Sequence, residues 1–484
     1  MQAQHVVRVG QVIWRMCGAW GRAYAGRMTS PAAPESLSPP DGWRTFLWLW
    51  GSQALSVIGS AIAGFAFNIY LTQTRFPLAE QKPQLAAALS LTALAWALTA
   101  TLLAPLAGAW TDRHDRRRIM LACDVAGVAL TLGTLLLVGS AATPLWAMVV
   151  LTALMGAVST FHGSAFDASY TSLVPRERLP RANGMMQTVW SLAGLVGPAA
   201  AALLIGVPAL LRENGSGPAW LSGLHDGVPF AYAVDAVTFL VAVLILSRLR
   251  VPSPVRREGA GRGSLLADMR FGWVFIGQRR PLLALLLTFA VANLCTSNLG
   301  VLEPLIVKFG LNGDWEARGG TLQGTLATLA VVQSVGGVLG GVLISTWGGL
   351  KRNRVLGVLV PMIVSGLSFA AFGAAGTVLG AAAALLVMGL TFPAMNAHSQ
   401  SIWQSQVPPE LQGRVFSVRR LIAQFTSPAS SALAGLLAAR YAPGGVAVAA
   451  GLTLAVVAGL QLLNPALRRV EDPALSGYAP SGTD

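Results

Sequence analysis

Gly108-Ala109-Trp110-Thr111-Asp112-Arg113-His114-Asp115-Arg116-Arg117-Arg118 is a short, arginine-dense loop between two long apolar runs, residues 85–107 and 119–138. About 20 apolar residues cross the hydrocarbon core of a bilayer as a helix, so both runs read as membrane spans. A loop this short and this basic is expected on the cytoplasmic side. Placing one loop sets the direction of every other span, because each crossing reverses the side.

Composition agrees with a polytopic chain. Of 484 residues, 54% are hydrophobic and only 11% charged, against about a quarter charged in soluble domains. The net charge of +14 does not point to nucleic acid, because of where it falls. With twelve spans and both termini inside, 28 of the 34 basic residues fall in cytoplasmic segments and 6 in outer loops. That bias is topological, with contact to anionic lipid secondary. Cys17, Cys123 and Cys295 supply no disulfide framework or four-cysteine metal site. Five scattered histidines give no zinc spacing, and no phosphate-cradling Gly-x-x-x-x-Gly-Lys-Ser/Thr loop is present. Neither a cofactor nor a metal is expected. With no nucleophile–base pair in the spans, an enzyme is not expected either.

Apolar runs fall near residues 45–71, 85–108, 118–139, 145–166, 184–207, 229–249, 282–306, 322–346, 355–375, 377–400, 414–438 and 443–464. The expected fold is therefore all-α and integral to the membrane. Its parts would be a cytoplasmic N-terminal tail (1–43), a six-helix half (44–250), a cytoplasmic linker (251–281), a second six-helix half (282–465) and a disordered C-terminal tail (466–484). An internal repeat supports the division. Val174-Pro175 precedes a run reaching Gly197-Pro198, and Val407-Pro408 precedes one reaching Ser427-Pro428; Gly108 and its arginines have an echo in Gly348 to Arg354. Two halves related by a parallel repeat are a known transporter plan. In the linker, Ser264 is positioned to cap a helix whose Leu265, Leu266, Met269, Trp273 and Ile276 share a face, suited to the membrane boundary. Near the N terminus Arg8, Arg15 and Arg22 recur beside Trp14 and Trp20, as in a basic surface helix, although Met28 is an alternative start. No apolar core follows the early charges, so no secretory signal is expected.

The basic loop has a physical rationale. Gly108 permits close helix approach, and Asp112 suits the positive N-terminal end of run 11 near Gly413 and Arg414. Arg113, Arg116 and Arg117 are placed to pair with acids such as Asp167 at the inner end of run 4. Such a cluster would latch the two halves; arginines serving only as a topology anchor are the alternative. Buried carboxylates are costly and mark function. Asp235 in run 6, Asp124 in run 3 and Glu303 in run 7 are therefore candidates to carry a proton, each with hydrogen bonding to a neighbouring helix as the simpler alternative. Gln53, Asn68, His162, Gln187, Asn293, Asn298, Asn396, His398 and Gln424 are polar candidates for a cavity lining or for interhelical hydrogen bonds.

The Gly-x-x-x-Asp-Arg start of the basic loop resembles the loop 2–3 signature of the major facilitator superfamily. Gly194-Leu-Val-Gly197-Pro198 resembles the motif that exporters of that family carry in helix 5, which packs on helix 8; the complement there is Gly336-Gly337-Val-Leu-Gly340-Gly341. Gln53-x-x-Ser56-x-x-Gly59, Leu173-Val174-Pro175-Arg176-Glu177, Asp268-x-x-Phe271-Gly272 and Val407-Pro408-x-Glu410-x-x-Gly413-Arg414 are similar to the macrolide-efflux and enterobactin-exporter branch. Asp115 stands where the family usually has glycine, and run 4 lacks the arginine of many drug–proton antiporters. The resemblance implies the major facilitator fold, a monomer in the cell inner membrane, and proton-coupled efflux of a bulky amphipathic small molecule by alternating access. Substrate, protons and lipid are then the partners. A nutrient importer and a transport-dead sensor or assembly protein are the alternatives.

Overall fold

The computed structural model describes residues 41–139, 143–175, 178–214, 224, 226–251 and 265–471, apart from the side chains of 180, 265–269, 409, 410, 412–414 and 424. The N-terminal surface helix, the Ser264 cap with residues 252–264 of the linker, and residues 472–484 of the C-terminal tail lie outside them; the first residues of that tail are ordered, with a helical turn at Pro465–Arg468 and Val470 buried. Every regular element among the described residues is helical. Twelve are long and apolar enough to cross a bilayer, where a backbone without water must satisfy its own hydrogen bonds.

The first six spanning helices are α1 (Gly42–Ile69), α2 (Lys82–Thr111), α3 (Arg116–Val138), α4 (Leu145–Leu173), α5 (Leu179–Glu213) and α6 (Val228–Arg248). A short helix α7 (Leu265–Gln278) follows. It packs on the eleventh span, burying Phe275 and Ile276 while Trp273 stays exposed. The seventh span is two pieces, α8 (Arg280–Thr296) and α9 (Leu299–Phe309), and α10 (Asn312–Ala317) follows. The rest are α11 (Leu322–Trp347), α12 (Arg354–Ala374), α13 (Val378–Gln406), α14 (Pro409–Arg440) and α15 (Pro443–Leu462), with a terminal turn α16 (Pro465–Arg468). Several helices outrun their apolar stretches: α4 ends at Leu173 and α13 at Gln406. Polar turns that leave the hydrocarbon can continue a helix, and hydropathy does not see them.

Packing repeats between the halves. In the first, α2 packs on α4, α3 on α4 and α6, and α1 on α5 and α6. In the second, α11 packs on α13, α12 on α13 and α15, and α8 on α14 and α15. Each contact has its counterpart six spans later, as a parallel repeat requires. The halves meet through α2 with α14 and α5 with α11.

Small residues set the closest approaches, but not all where the motif implied. A Cβ on Gly336 or Gly340 would lie 2.3 or 2.4 Å from carbonyl oxygens of α13, so these glycines, one turn apart, face their own half rather than α5. Gly197 likewise faces Ala61 of α1, and only Gly194 meets α11, where Ser334 Oγ donates to its carbonyl at 3.1 Å.

The two ends of the bundle differ. We call the end carrying the loop after α2 the basic end. At the opposite end the halves are stitched together. Ser90 Oγ donates to the Ser431 carbonyl at 2.7 Å, Lys82 Nζ to the Tyr441 carbonyl at 2.8 Å, and Gln73 Nε2 to Gln323 Oε1 at 2.7 Å. Lys308 of α9 donates to the carbonyls of Thr72 and Phe76, beside a π-helical turn (Tyr70–Arg75) that ends the first span. Among the described residues no hydrogen bond joins the halves at the basic end, so this conformation is shut at the opposite end.

The seam depends on Gly435, where an added Cβ would lie 1.9 Å from Ser90 Oγ. A Gly435→Val substitution is expected to pry α14 from α2. A cysteine placed at Gln323 in a background lacking the native thiols should then label several-fold faster with a membrane-impermeant maleimide. Equal labelling with and without Gly435→Val would contradict this account of the seam.

Candidate functional site

A wide opening lies inside the first half. It is a cavity of ≈ 620 Å³ between α1, α3, α4 and α6, with Trp96 of α2 and Trp190 of α5 at its margin. It exists because α1 and α4 barely touch while each packs firmly on other helices. Its wall is mainly apolar and includes Phe67, Trp96, Trp190 and Phe239, into which a few polar side chains project. Drug-sized ligand pockets have this size and character.

Two carboxylates lie in the wall. Asp235 of α6 is 2% exposed. Ser60 Oγ of α1 donates to its Oδ1 at 3.0 Å and Thr131 Oγ1 of α3 to its Oδ2 at 2.9 Å. One side chain thus ties three helices. Asp124 of α3 is 1% exposed, and its Oδ1 lies 3.2 Å from Nε2 of His162 on α4. Its other oxygen, and Nε2 of Gln53 on α1, have no hydrogen-bond partner and are enclosed. Polar atoms left so beside a cavity are poised for a ligand, water or a proton, since an unmet buried group costs about 1–3 kcal/mol.

Of the residues marked by sequence, the structure therefore gathers Asp235, Asp124, His162 and Gln53 around one cavity. Gly194 reaches its edge, while Gly197 and Pro198 lie deeper along α5. Asn293 and Asn396 line a separate cavity of ≈ 150 Å³ in the second half. Asn68, Gln187, Asn298, His398 and Glu303 line neither of these two cavities. His398 takes the Leu350 N–H at Nε2 (2.8 Å), and its Nδ1 lies 2.8 Å from the Ala394 carbonyl, so both ring nitrogens brace the loop after α11. Glu303 sits in α9 with Oε1 enclosed and unpartnered, and Asn298 is buried at the break before it. Gln187 is exposed. The Gln424 side chain is outside the described residues. Among the described residues no three His, Cys, Asp or Glu groups converge as metal ligands. Ser60 and Thr131, which hold Asp235, carried no sequence signal: hydroxyls are common in apolar helices and usually bond their own backbone.

The basic loop also departs from expectation. Asp112 and Arg113 are exposed, and space is open around Gly108. Arg116 Nη1 donates to the Ala168 carbonyl of α4 at 2.8 Å rather than to the Asp167 carboxylate. Arg117 donates from Nε to the Leu246 carbonyl of α6 at 3.1 Å, and from its guanidinium also to Ser247. Leu246 and Ser247 lie in the last turn of α6, where a cation suits the C-terminal end of the dipole. Asp115, the family's departure, caps α3 by accepting from the Arg118 N–H at 2.9 Å.

Comparison with known proteins agrees with this architecture. The profile described as Major Facilitator Superfamily matches residues 49–431. Macrolide efflux protein A of Streptococcus pyogenes is 26% identical over 411 residues, covering 83% of this chain and 91% of that protein. The protein of the same name from Enterococcus faecalis is 25% identical over 334 residues, 67% of this chain and 93% of that one. Among solved structures, a bacterial homologue of the human lysosomal transporter Spinster, inward-facing and unoccupied, superposes with a TM-score of 0.65 at 15% identity, covering 92% of this chain and 100% of that one.

If Asp235 holds α1, α3 and α6 together, replacing it by Leu strands two hydroxyls, at about 1–3 kcal/mol, whereas Asn keeps an acceptor. Asp235→Leu should therefore unfold roughly 2–4 °C below Asp235→Asn in detergent. Equal melting of the two variants would refute the three-helix tie.

Proposed function

The chain belongs to the Major Facilitator Superfamily, and from that premise we propose that it exports a bulky, amphipathic small molecule across the cell inner membrane by alternating access, coupled to proton entry. The family makes it a membrane transporter. The finer reading is supported above all by the ≈ 620 Å³ cavity in which two buried carboxylates stand among aromatic side chains. The resemblance in sequence to macrolide efflux proteins favours export and a large, weakly polar cargo.

The positive-inside rule assigns the basic end to the cytoplasm. The conformation described is then shut toward the outside, and its cavity is loaded from within between α1 and α4. Asp235 and the Asp124–His162 pair are the proposed proton carriers. An empty, ionised cavity resists occlusion because a bare carboxylate in the membrane is costly. Cargo or protons must therefore cover it before the halves rock. Protons bound from the outside would displace cargo there, and their release inside would ready the site again. The exposed Asp112 and Arg113 would engage the second half only when the cytoplasmic side closes, stabilising the outward-facing state.

The test is export of a radiolabelled macrolide and a fluorescent amphipathic dye from cells lacking their own exporters. Expression should lower accumulation, a protonophore should restore it, and Asp235→Asn should slow export about tenfold, a barrier change of about 1.4 kcal/mol. Export indifferent to the protonophore would overturn proton coupling. Uptake in place of export would overturn the direction.

A further inference from the structure

We propose that the second half holds a binding site for a small anion, centred on the guanidinium of Arg419. The residue lies in α14, within the spanning stretch Val415–Arg440, and its side chain lines the ≈ 150 Å³ cavity between α8, α12, α13 and α14. Its hydrogen bonds run to Gln400 Oε1 at 2.7 Å and to Ser399 Oγ at 3.2 Å. The ring of Trp403 lies 5.3 Å from its charge. All three partners are neutral, and among the described residues no carboxylate lies within ion-pair distance. A guanidinium has five N–H donors and stays charged, so a full positive charge faces an enclosed space with donors to spare.

The α12 side of the cavity adds a second observation. Ser365 of α12 is 1% exposed, lines the same cavity, and its hydroxyl has no partner. Asn293 of α8 and Asn396 of α13 line the same cavity. A cation and an orphan hydroxyl around one cavity make a donor-rich, charge-unbalanced site. Within a membrane such a charge is held by a counter-ion rather than left bare. The volume selects among anions. It is well below the 300–1,000 Å³ typical of drug-sized ligands, and suits a halide or a one- or two-carbon carboxylate. An anionic lipid phosphate offers the same chemistry, since Arg419 is the fifth residue of its spanning stretch. The cargo cavity of the first half presents carboxylates and this one a cation, so the two are not copies of one site. The inference does not rest on export.

The experiment is thermal unfolding of the purified full-length protein in detergent, followed by tryptophan fluorescence. Sodium gluconate, too long for the cavity, is replaced by chloride or acetate at constant ionic strength. A saturable rise of a few degrees is expected from binding to the folded state alone. It should vanish in Arg419→Gln and persist in Arg420→Gln, which removes the adjacent exposed charge. Ser365→Ala, which keeps the cation, should raise the half-saturating concentration several-fold and decides the matter if Arg419→Gln fails to fold. A parallel series adds phosphatidylglycerol to the micelles. A shift from the lipid but not from the small anions, lost in Arg419→Gln, identifies the headgroup as occupant of the same site. No saturable shift with any of these ligands, or one that Arg419→Gln and Ser365→Ala leave unchanged, overturns the proposal.

Discussion

Between the loops there is no water to solvate a carbonyl or a carboxylate, and most features of this chain answer that constraint. The backbone meets it by being helical through the twelve spans, with a break at Ser297–Asn298 in the seventh. Side chains meet it in pairs: Asp235 with Ser60 and Thr131, Asp124 with His162, Arg419 with Gln400 and Ser399. Asp124 Oδ2, Gln53 Nε2 and Ser365 Oγ have not met it, and a cavity lies beside each, whereas Glu303 Oε1 and Asn298 Oδ1 are unmet away from both cavities. In a soluble protein each such atom would be explained by a water molecule; here it is a reason to look for a ligand.

The same constraint explains what the sequence made legible. A span must be long, apolar and uninterrupted, so twelve of them were countable, and the short basic loops between them announced the topology. A carboxylate inside such a span is conspicuous, so Asp235 and Asp124 stood out. Their partners did not. Ser60 and Thr131 are ordinary hydroxyls, and nothing along the chain says that α1, α3 and α6 converge at one height. Arg419 was overlooked for another reason: with Arg420 beside it near the start of a span, it reads as a topology charge, and only packing shows that it turns inward while Arg420 remains exposed. Glu303 shows the converse, since a conspicuous charge lies away from both cavities.

Motif reading also mistook direction. The glycines of α11 look like the complement of the α5 motif, yet Gly336 and Gly340 contact α13. A helix has several faces, and a run of small residues does not say which neighbour each one meets. The arginines after α2 were likewise assigned to carboxylates, but Arg116 and Arg117 satisfy backbone carbonyls of α4 and α6. In that position they tie the first half's own helices together. Asp112 and Arg113 are the residues left over, exposed and available to the second half.

That division bears on how the halves would exchange positions. The seam at the end opposite the basic loops combines hydrogen bonds from Ser90, Lys82, Gln73 and Lys308, three of which donate to backbone carbonyls, with buried apolar residues of both halves, among them Leu85, Leu89, Leu302, Leu305 and Ala434. Interhelical hydrogen bonds in membranes average about 0.6 kcal/mol. The hydrogen-bonded part of the seam is therefore worth only a few kcal/mol, comparable with the roughly 5.5 kcal/mol of differential binding that reverses a two-state population from 1:99 to 99:1. A ligand or proton that binds one conformation better can break it. The apolar part of the seam has to be offset by new contacts at the basic end, so that an occupant of the ≈ 620 Å³ cavity supplies only the difference between the two closed ends. A chain that must open on alternate sides needs rigid halves and joins that can be exchanged, and the polar bonds of this seam are few enough for that.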